Sequence, residues 1–207
     1  MADAMLVQMK QHMWREQTNY RVTVTAAFDQ LRPQTFDGSG SGTARDFRTQ
    51  PERLSDIKRY IFGGFAKGCY QLAKFDSDTE RKLTVLLEQE PTVRLWMKPG
   101  PNQFKIYDTD GLPYQPDFVV ETDTTKLIIE TKANNQMSDP IVLRKADAAC
   151  LWCHIATEVH GKKTGDKPWS YLLVPESAVQ PNATITGLRA TFTRPPDAEL
   201  LSRFDLS

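Results

Sequence analysis

Two apolar runs, Phe118-Val119-Val120 and Leu127-Ile128-Ile129, edged by charge and joined by a short polar link, restrict the fold of this 207-residue chain more than any other feature. Asp123 and Thr124 are turn-prone and lie midway between the runs, so the spacing predicts an antiparallel hairpin that turns between them. Facing residues then pair Glu121 with Lys126, Val119 with Ile128, and Asp117 with Glu130. Side chains alternate between the two faces of a strand, and a slip of one residue would exchange the faces. In this register Phe118, Val120, Leu127 and Ile129 share a wholly apolar face. Asp117 and Glu130 are opposed on the other, with Lys132 two residues beyond Glu130 and on the same side.

Like charges directly opposed at ~5 Å destabilise a bare hairpin, so the pattern calls for a compensating group. A hard divalent cation such as Mg²⁺, for which Mn²⁺ substitutes, takes oxygen ligands at about 2.0 to 2.1 Å, and two carboxylates so placed can share one. An ammonium at Lys132 would orient or help deprotonate the attacking water, or offset charge in the transition state, while the metal lowers the pKa of the water. These three residue types make a hydrolytic site for a phosphodiester. The competing account is that an acid, a Glu and a Lys at this spacing recur by chance, and that charged residues near strand ends are usually solvated. The opposition of both acids behind an apolar strand pair is what sets this instance apart.

The flanking sequence supplies further elements. Tyr20 to Ala26 alternates polar and β-branched residues and is predicted as a strand, and the glycine- and serine-rich stretch from Asp37 to Thr43 as a loop. A helix is predicted over Pro51 to Phe62, begun near a proline and ended by Gly63-Gly64. Ser77, with Glu80 three residues on, forms a capping box ahead of Leu83, Val85, Leu86 and Leu87, and predicts a helix to about Gln89. Short strands are expected at Val93 to Met97 and Gln103 to Tyr107, parted by the Pro99-Gly100-Pro101 turn. The hairpin itself spans Pro116 to Glu121 and Lys126 to Lys132. A helix over Pro140 to Val159 follows, with Val142, Ala146, Ala149, Cys150 and Cys153 at three- and four-residue spacing, and Trp169 to Pro175 reads as a buried strand. The order predicts an α/β fold, a mixed sheet sandwiched by helices. Residues 1–74 are expected to be an N-terminal extension packed on a core of residues 75–207.

A formal net charge of zero excludes attachment to nucleic acid through a global field, so any DNA contact must come from a local patch or a partner. No string matches the phosphate-binding pattern of ATP-driven motors, since Gly161-Lys162-Lys163-Thr164 lacks the required upstream glycine. No apolar run approaches the ~20 residues of a membrane span, no basic-then-apolar leader opens the sequence, and three cysteines give no disulfide framework. A cytoplasmic location is the expectation.

Several strings together then carry a family resemblance: Phe62-Gly63-Gly64-Phe65, Lys74 through Glu80, Trp96-Met97-Lys98-Pro99, Tyr114-Gln115-Pro116-Asp117-Phe118, Glu130-Thr131-Lys132, Lys145 through Ala149, and Lys167-Pro168-Trp169. In order and spacing the chain from about Tyr20 to Leu188 resembles the C-terminal part of the restriction (Res) subunit of type III restriction enzymes. The resemblance implies a restriction-endonuclease-like core, a central mixed sheet flanked by helices, that cleaves double-stranded DNA with Mg²⁺. It matches Asp117, Glu130 and Lys132 to the catalytic residues of the PD-(D/E)xK pattern, and Glu80 to a metal-binding acid on the helix before the sheet. Members of that family carry a helicase-like motor and work with a DNA methyltransferase, neither of which this chain contains, so both are expected partners.

Other residues admit two readings. Lys145, on the helix after the catalytic strands, either contacts the scissile phosphate or is a solvated helical lysine. Lys162 and Lys163, with Lys167, form a basic loop that either lies along a phosphate backbone or merely joins helix to strand. Cys150 and Cys153 sit inside a helix with no second cysteine pair and are assigned to the core rather than to a metal. His154 and His160 are not required by a metal-water site. Trp96, Trp152 and Trp169 are taken as core or interface aromatics. Against the hydrolase stands a DNA- or partner-docking module on a nuclease fold, or a repair or transposition nuclease that shares only the core.

Overall fold

The computed structural model describes residues 31–34, 36, 44–108, 110–161 and 166–202. Strands β1 (Arg45–Asp46), β2 (Phe62–Gly63) and β3 (Leu72–Ala73) form a small sheet ahead of helix α1 (Asp78–Gln89). Strand β4 (Val93–Met97) follows, then the two-residue strands β5 (Ile106–Tyr107) and β6 (Pro113–Tyr114), which pair with each other. The long pair β7 (Phe118–Thr122) and β8 (Lys126–Lys132) leads to helix α2 (Pro140–Ile155) and strand β9 (Trp169–Pro175). Helix α3 (Ile185–Phe192), strand β10 (Thr193–Arg194) and helix α4 (Ala198–Ser202) complete the order.

The main sheet runs β10-β9-β8-β7-β4. Strands β8 and β9 are parallel, and the remaining pairs are antiparallel, which makes the sheet mixed. A parallel pair cannot be joined by a tight turn. The connection from β8 to β9 accordingly carries α2. Strand β8, bonded on both edges and buried through its five central residues, is the axis of the fold.

Each face of the sheet has its own core. On one, Phe118, Val120, Leu127, Ile129, Leu172 and Val174 pack with Leu83, Leu86 and Leu87 of α1 and Leu188 of α3. The same cluster takes in Phe47, Ile57, Phe62 and Ala73, so the described residues before α1 share the core that α1 builds. On the other face Ile128, Tyr171 and Leu173 meet Ala146, Ala149, Cys150 and Cys153 of α2, together with Phe104, Ile106 and Tyr114. Each fully buried Leu or Phe contributes about 1.5–3 kcal/mol relative to exposure, so the two clusters clamp β7 and β8 from both sides.

Three elements differ from the sequence expectation. Pro51 to Phe62 is not an α-helix; only Leu54–Arg59 winds, as a 3₁₀ turn with no side-chain cap at its N-terminus and Ile57 its one buried residue. Such a segment has little apolar area with which to offset the ordering entropy of a longer helix. Phe62 and Gly63 go instead into β2, and Gly64 adopts φ +91°, a conformation that suits glycine. In the expected strand from Gln103 only Ile106 and Tyr107 pair, because Gln103 turns back to accept from the Gly100 N–H at 3.0 Å. The helix expected to Val159 is α-helical to Ile155 and continues as a π turn over Ala156–Gly161. The predicted strand over Tyr20 to Ala26 and loop from Asp37 to Thr43 lie outside the described residues.

Candidate active site

The hairpin has the register derived from its spacing: Phe118 faces Ile129, Val119 faces Ile128, Val120 faces Leu127, and Glu121 faces Lys126. Its turn is closed by Thr122, whose N–H and hydroxyl both donate to the Thr125 carbonyl at 2.8 Å. Asp117 lies one residue before β7, just past the last paired residues, Phe118 and Ile129. Its backbone N–H donates to Glu130 Oε2 at 3.1 Å. Its own carboxylate reaches along β8, where Oδ2 accepts from the Thr131 N–H at 2.9 Å and the Thr131 hydroxyl at 3.2 Å. The two acids are thereby locked to each other's strands, and neither depends on a long free side chain for its position.

Glu130 sits on the central strand with only 6% of its surface exposed. Lys132, next on the same face, donates from Nζ to Glu130 Oε1 at 2.5 Å. The third acid arrives from the opposite layer. Ser77 caps α1 by accepting from the Glu80 N–H at 3.2 Å, while the Glu80 carboxylate accepts from the Asp76 N–H at 3.1 Å rather than from that of Ser77. The return half of the capping box is thus displaced by one residue. Glu80, only 4% exposed, also accepts from Lys98 Nζ at 2.6 Å.

Lys98 is the member of this group that the sequence reading did not assign. It follows the last residue of β4, and its Nζ donates both to Glu80 Oε2 and, at 3.1 Å, to Asp76 Oδ2, while lying 5.9 Å from the Phe118 ring centroid. Its string, Trp96-Met97-Lys98-Pro99, contributed to the family resemblance. The role rests on the packing of α1 against the sheet, which no local pattern encodes.

The electrostatics show that these side chains sense one another. Burial and the Asp117 charge push the Glu130 carboxyl up to about 7, in spite of Lys132. Burial raises Glu80 as well, opposed by Lys98 and reinforced by Asp117. Burial works against the charge on Lys132, but Glu130, Asp117 and Glu80 outweigh it and hold the ammonium protonated. For Lys98, too, burial is overcome, here by Glu80, Asp117 and Asp76. Four carboxylates, Asp76, Glu80, Asp117 and Glu130, therefore share two lysines. The raised Glu130 carboxyl marks an excess of buried negative charge that a bound cation would offset.

The donor set of carboxylates suits a hard divalent ion. Among the described residues, however, no three His, Cys, Asp or Glu side chains are gathered tightly enough to coordinate one ion together. The lysines occupy carboxylate oxygens of Glu80 and Glu130, and Thr131 occupies one of Asp117.

Of the other singled-out residues, Lys145 is half-buried on α2. Lys162 and Lys163 lie outside the described residues. Lys167 does not lie open for a phosphate: it donates to Glu121 Oε1 at 2.5 Å and to the Thr122 carbonyl at 2.8 Å, bracing the hairpin turn. Cys150 and Cys153 are buried in the core on the α2 face, where burial pushes the Cys150 thiol up to about 12. His154 is half-buried at the end of α2, and the side chain of His160 lies outside the description. Trp96 is buried and donates to Glu88 at 2.7 Å, and Trp152 meets Trp169 edge to face. No helix among the described residues is long and apolar enough to cross a membrane.

Residues 66–156 match the model of a protein family described as an endonuclease domain. The matched segment, a little under half of the chain, contains Glu80, Lys98, Asp117, Glu130 and Lys132. It supports a restriction-endonuclease-like domain with nuclease activity on DNA. No curated protein matches the sequence.

Proposed function

We propose that this chain is a Mg²⁺-dependent endonuclease that hydrolyses phosphodiester bonds of double-stranded DNA, with Asp117, Glu130 and Lys132 as its catalytic residues. The observation that carries this reading is the bonded cluster of Asp117, Glu130 and Lys132 at one end of the hairpin, with the Glu80–Lys98 pair near enough to act on it electrostatically, inside the segment similar to endonuclease domains. Asp117 and Glu130 would hold the metal; Glu80, paired with Lys98 and not gathered with them here, would have to leave that pair to serve as a third ligand. The ion, once bound, supplies an activated water and a Lewis acid for the phosphoryl oxygen. The chain's own groups do the rest. Thr131 fixes the direction of the Asp117 carboxylate through two hydrogen bonds. The burial of Glu130 keeps bulk water from competing for its oxygens. Lys132 is held protonated by the surrounding acids, which favours a role as a cation that stabilises negative charge on the reacting phosphate over a role as a base.

By its resemblance to the type III restriction subunit, the chain would act on double-stranded DNA, presented to it by a helicase-like motor and a DNA methyltransferase. The test is cleavage of supercoiled plasmid by the purified chain in Mg²⁺ and in Mn²⁺, beside Lys132→Ala and an EDTA blank. Nicking or linearisation lost in the variant and in EDTA is the expected result. Cleavage that persists in Lys132→Ala refutes the site. No cleavage by the wild-type chain, alone or with a motor and methyltransferase supplied, refutes the enzyme and leaves a docking module on a nuclease fold.

A further inference from the structure

Beside the acid cluster lies a cleft of about 500 Å³ whose walls include Arg32, Lys74, Lys98, Pro99, Pro101 and Phe36. Its size falls in the ~300–1,000 Å³ range of ligand sites. Its charged lining holds three cations, Arg32, Lys74 and Lys98, and one acid, Asp76; because Lys98 is bonded to both Asp76 and Glu80, Arg32 and Lys74 are the cations left to meet a phosphate, in a chain whose formal net charge is zero. Such a local excess is what a neutral protein needs in order to hold a phosphate.

The cleft is also built in advance. Its Pro99-Gly100-Pro101 wall is held by side chains from three separate stretches of sequence. Gln34 donates to the Lys98 carbonyl at 3.1 Å, Gln115 donates to the Pro99 carbonyl at 2.8 Å, and Gln103 accepts from the Gly100 N–H at 3.0 Å. Gln103 in turn donates to the Tyr70 hydroxyl at 2.7 Å, which donates to the Arg32 carbonyl at 2.8 Å. Asn102, just past the wall, takes φ +62° and receives Arg32 Nη1 at its carbonyl, 3.2 Å away. This network ties segment 32–34 to the loop after β4 and fixes where Arg32 stands and the backbone that carries Lys98.

Lys98 belongs to both compartments, since it lines the cleft and its Nζ touches Glu80. A ligand in the cleft therefore lies next to the acids. We infer that the cleft between Arg32, Lys74 and Lys98 receives one nucleotide unit of the strand to be cut, its phosphate on Arg32 and Lys74 and its sugar and base against Pro99, Pro101 and Phe36. Each of the three glutamines spends an amide group on the wall, so the cleft contacts this unit mainly by charge and shape. The inference rests on the nuclease reading for the identity of the ligand, and it deepens that reading by saying where the strand runs.

The experiment measures binding separately from cleavage. Fluorescence anisotropy of a short labelled DNA duplex is followed against salt, with EDTA present, for the full chain and for Arg32→Ala, Lys74→Ala and Lys74→Arg. Arg59→Ala, an exposed cation on the 3₁₀ turn, serves as control. Removal of either cleft cation should weaken binding roughly five- to ten-fold at ~0.1 M salt and lower the slope of log affinity against log salt by about one. Lys74→Arg and Arg59→Ala should keep the wild-type slope, and two unrelated duplex sequences should give equal losses. Unchanged slopes in both alanine variants, or wild-type chain that does not bind the duplex at low salt, overturn the inference. The plasmid assay keeps the two readings apart. Lys132-dependent cleavage with unaltered binding in the cleft variants removes the cleft alone. Salt-sensitive binding lost in those variants, without any cleavage, removes the enzyme alone.

Discussion

Replacement of Glu130 by glutamine tests the electrostatic account of the site through stability rather than through activity. Glu130 moves from an ordinary value of 4.5 to about 7 in the fold, chiefly through burial and the adjacent Asp117 charge. Its folded pKa is raised, so between those two values the native state binds more protons than the unfolded chain, and stability must fall as pH rises. Integration of that difference from ~pH 5 to ~pH 7.5 gives a loss of about 2 kcal/mol attributable to this one carboxyl. In the Glu130→Gln variant the amide carries no titrating proton and cannot contribute to the slope. The substitution does leave either the Asp117 N–H or the Lys132 ammonium without an acceptor, at a cost of ~1 kcal/mol that does not vary with pH. The variant should then be about 1 kcal/mol less stable than wild type at ~pH 5 and about 1 kcal/mol more stable at ~pH 7.5. Urea unfolding followed by tryptophan fluorescence in EDTA, at several pH values, reads both curves. Parallel curves, with the difference unchanged across the window, would refute the claim that Glu130 is a strained buried acid awaiting a cation.

The Lys98–Glu80 pair should behave as a partly desolvated ion pair: Lys98→Met alone should destabilise the fold by ~3 kcal/mol near neutral pH, and much of that loss should disappear when Glu80→Gln is added. Additive losses in that double-mutant cycle, measured by urea unfolding, would show that the two groups are energetically independent. Ser77→Ala removes the oxygen that caps α1 and should lower stability by about 1 kcal/mol in the same assay. An unaltered midpoint would mean that the Glu80 carboxylate on Asp76 holds the helix end by itself.

The hairpin was legible in the sequence because its determinants are local. Alternation fixes which residues of Phe118–Thr122 and Lys126–Lys132 share a face, and the polar link fixes the turn, so one register satisfies both. Extended by one residue, that register brings Asp117 beside Glu130, where the Asp117 N–H meets the Glu130 carboxylate, and puts Lys132 on the same face as Glu130. The helix begun by Ser77 and the strands over Val93–Met97 and Trp169–Pro175 were likewise set by caps and apolar runs of sufficient length. Short elements were not. Pro113–Tyr114 forms a strand only because Ile106 and Tyr107 lie across from it, and α3 and β10 are brief segments stabilised by contact with the sheet. The segment from Pro51 to Phe62 had the endings of a helix but too few buried residues to make one.

The sequence by itself determined the paired acids, the lysine two residues beyond and the apolar strands that carry them, because a period of two and a turn act between near neighbours. Only the tertiary structure decided that both faces of the hairpin would be buried, that Glu80 would come within reach from the other layer, and that Lys98 would join it. It also decided that Arg32, Lys74 and the Pro99-Gly100-Pro101 wall would enclose a cleft beside them. Those facts depend on how α1 and the residues before it pack against the sheet. Packing depends on burial summed over residues distant in sequence, and no local pattern records that sum.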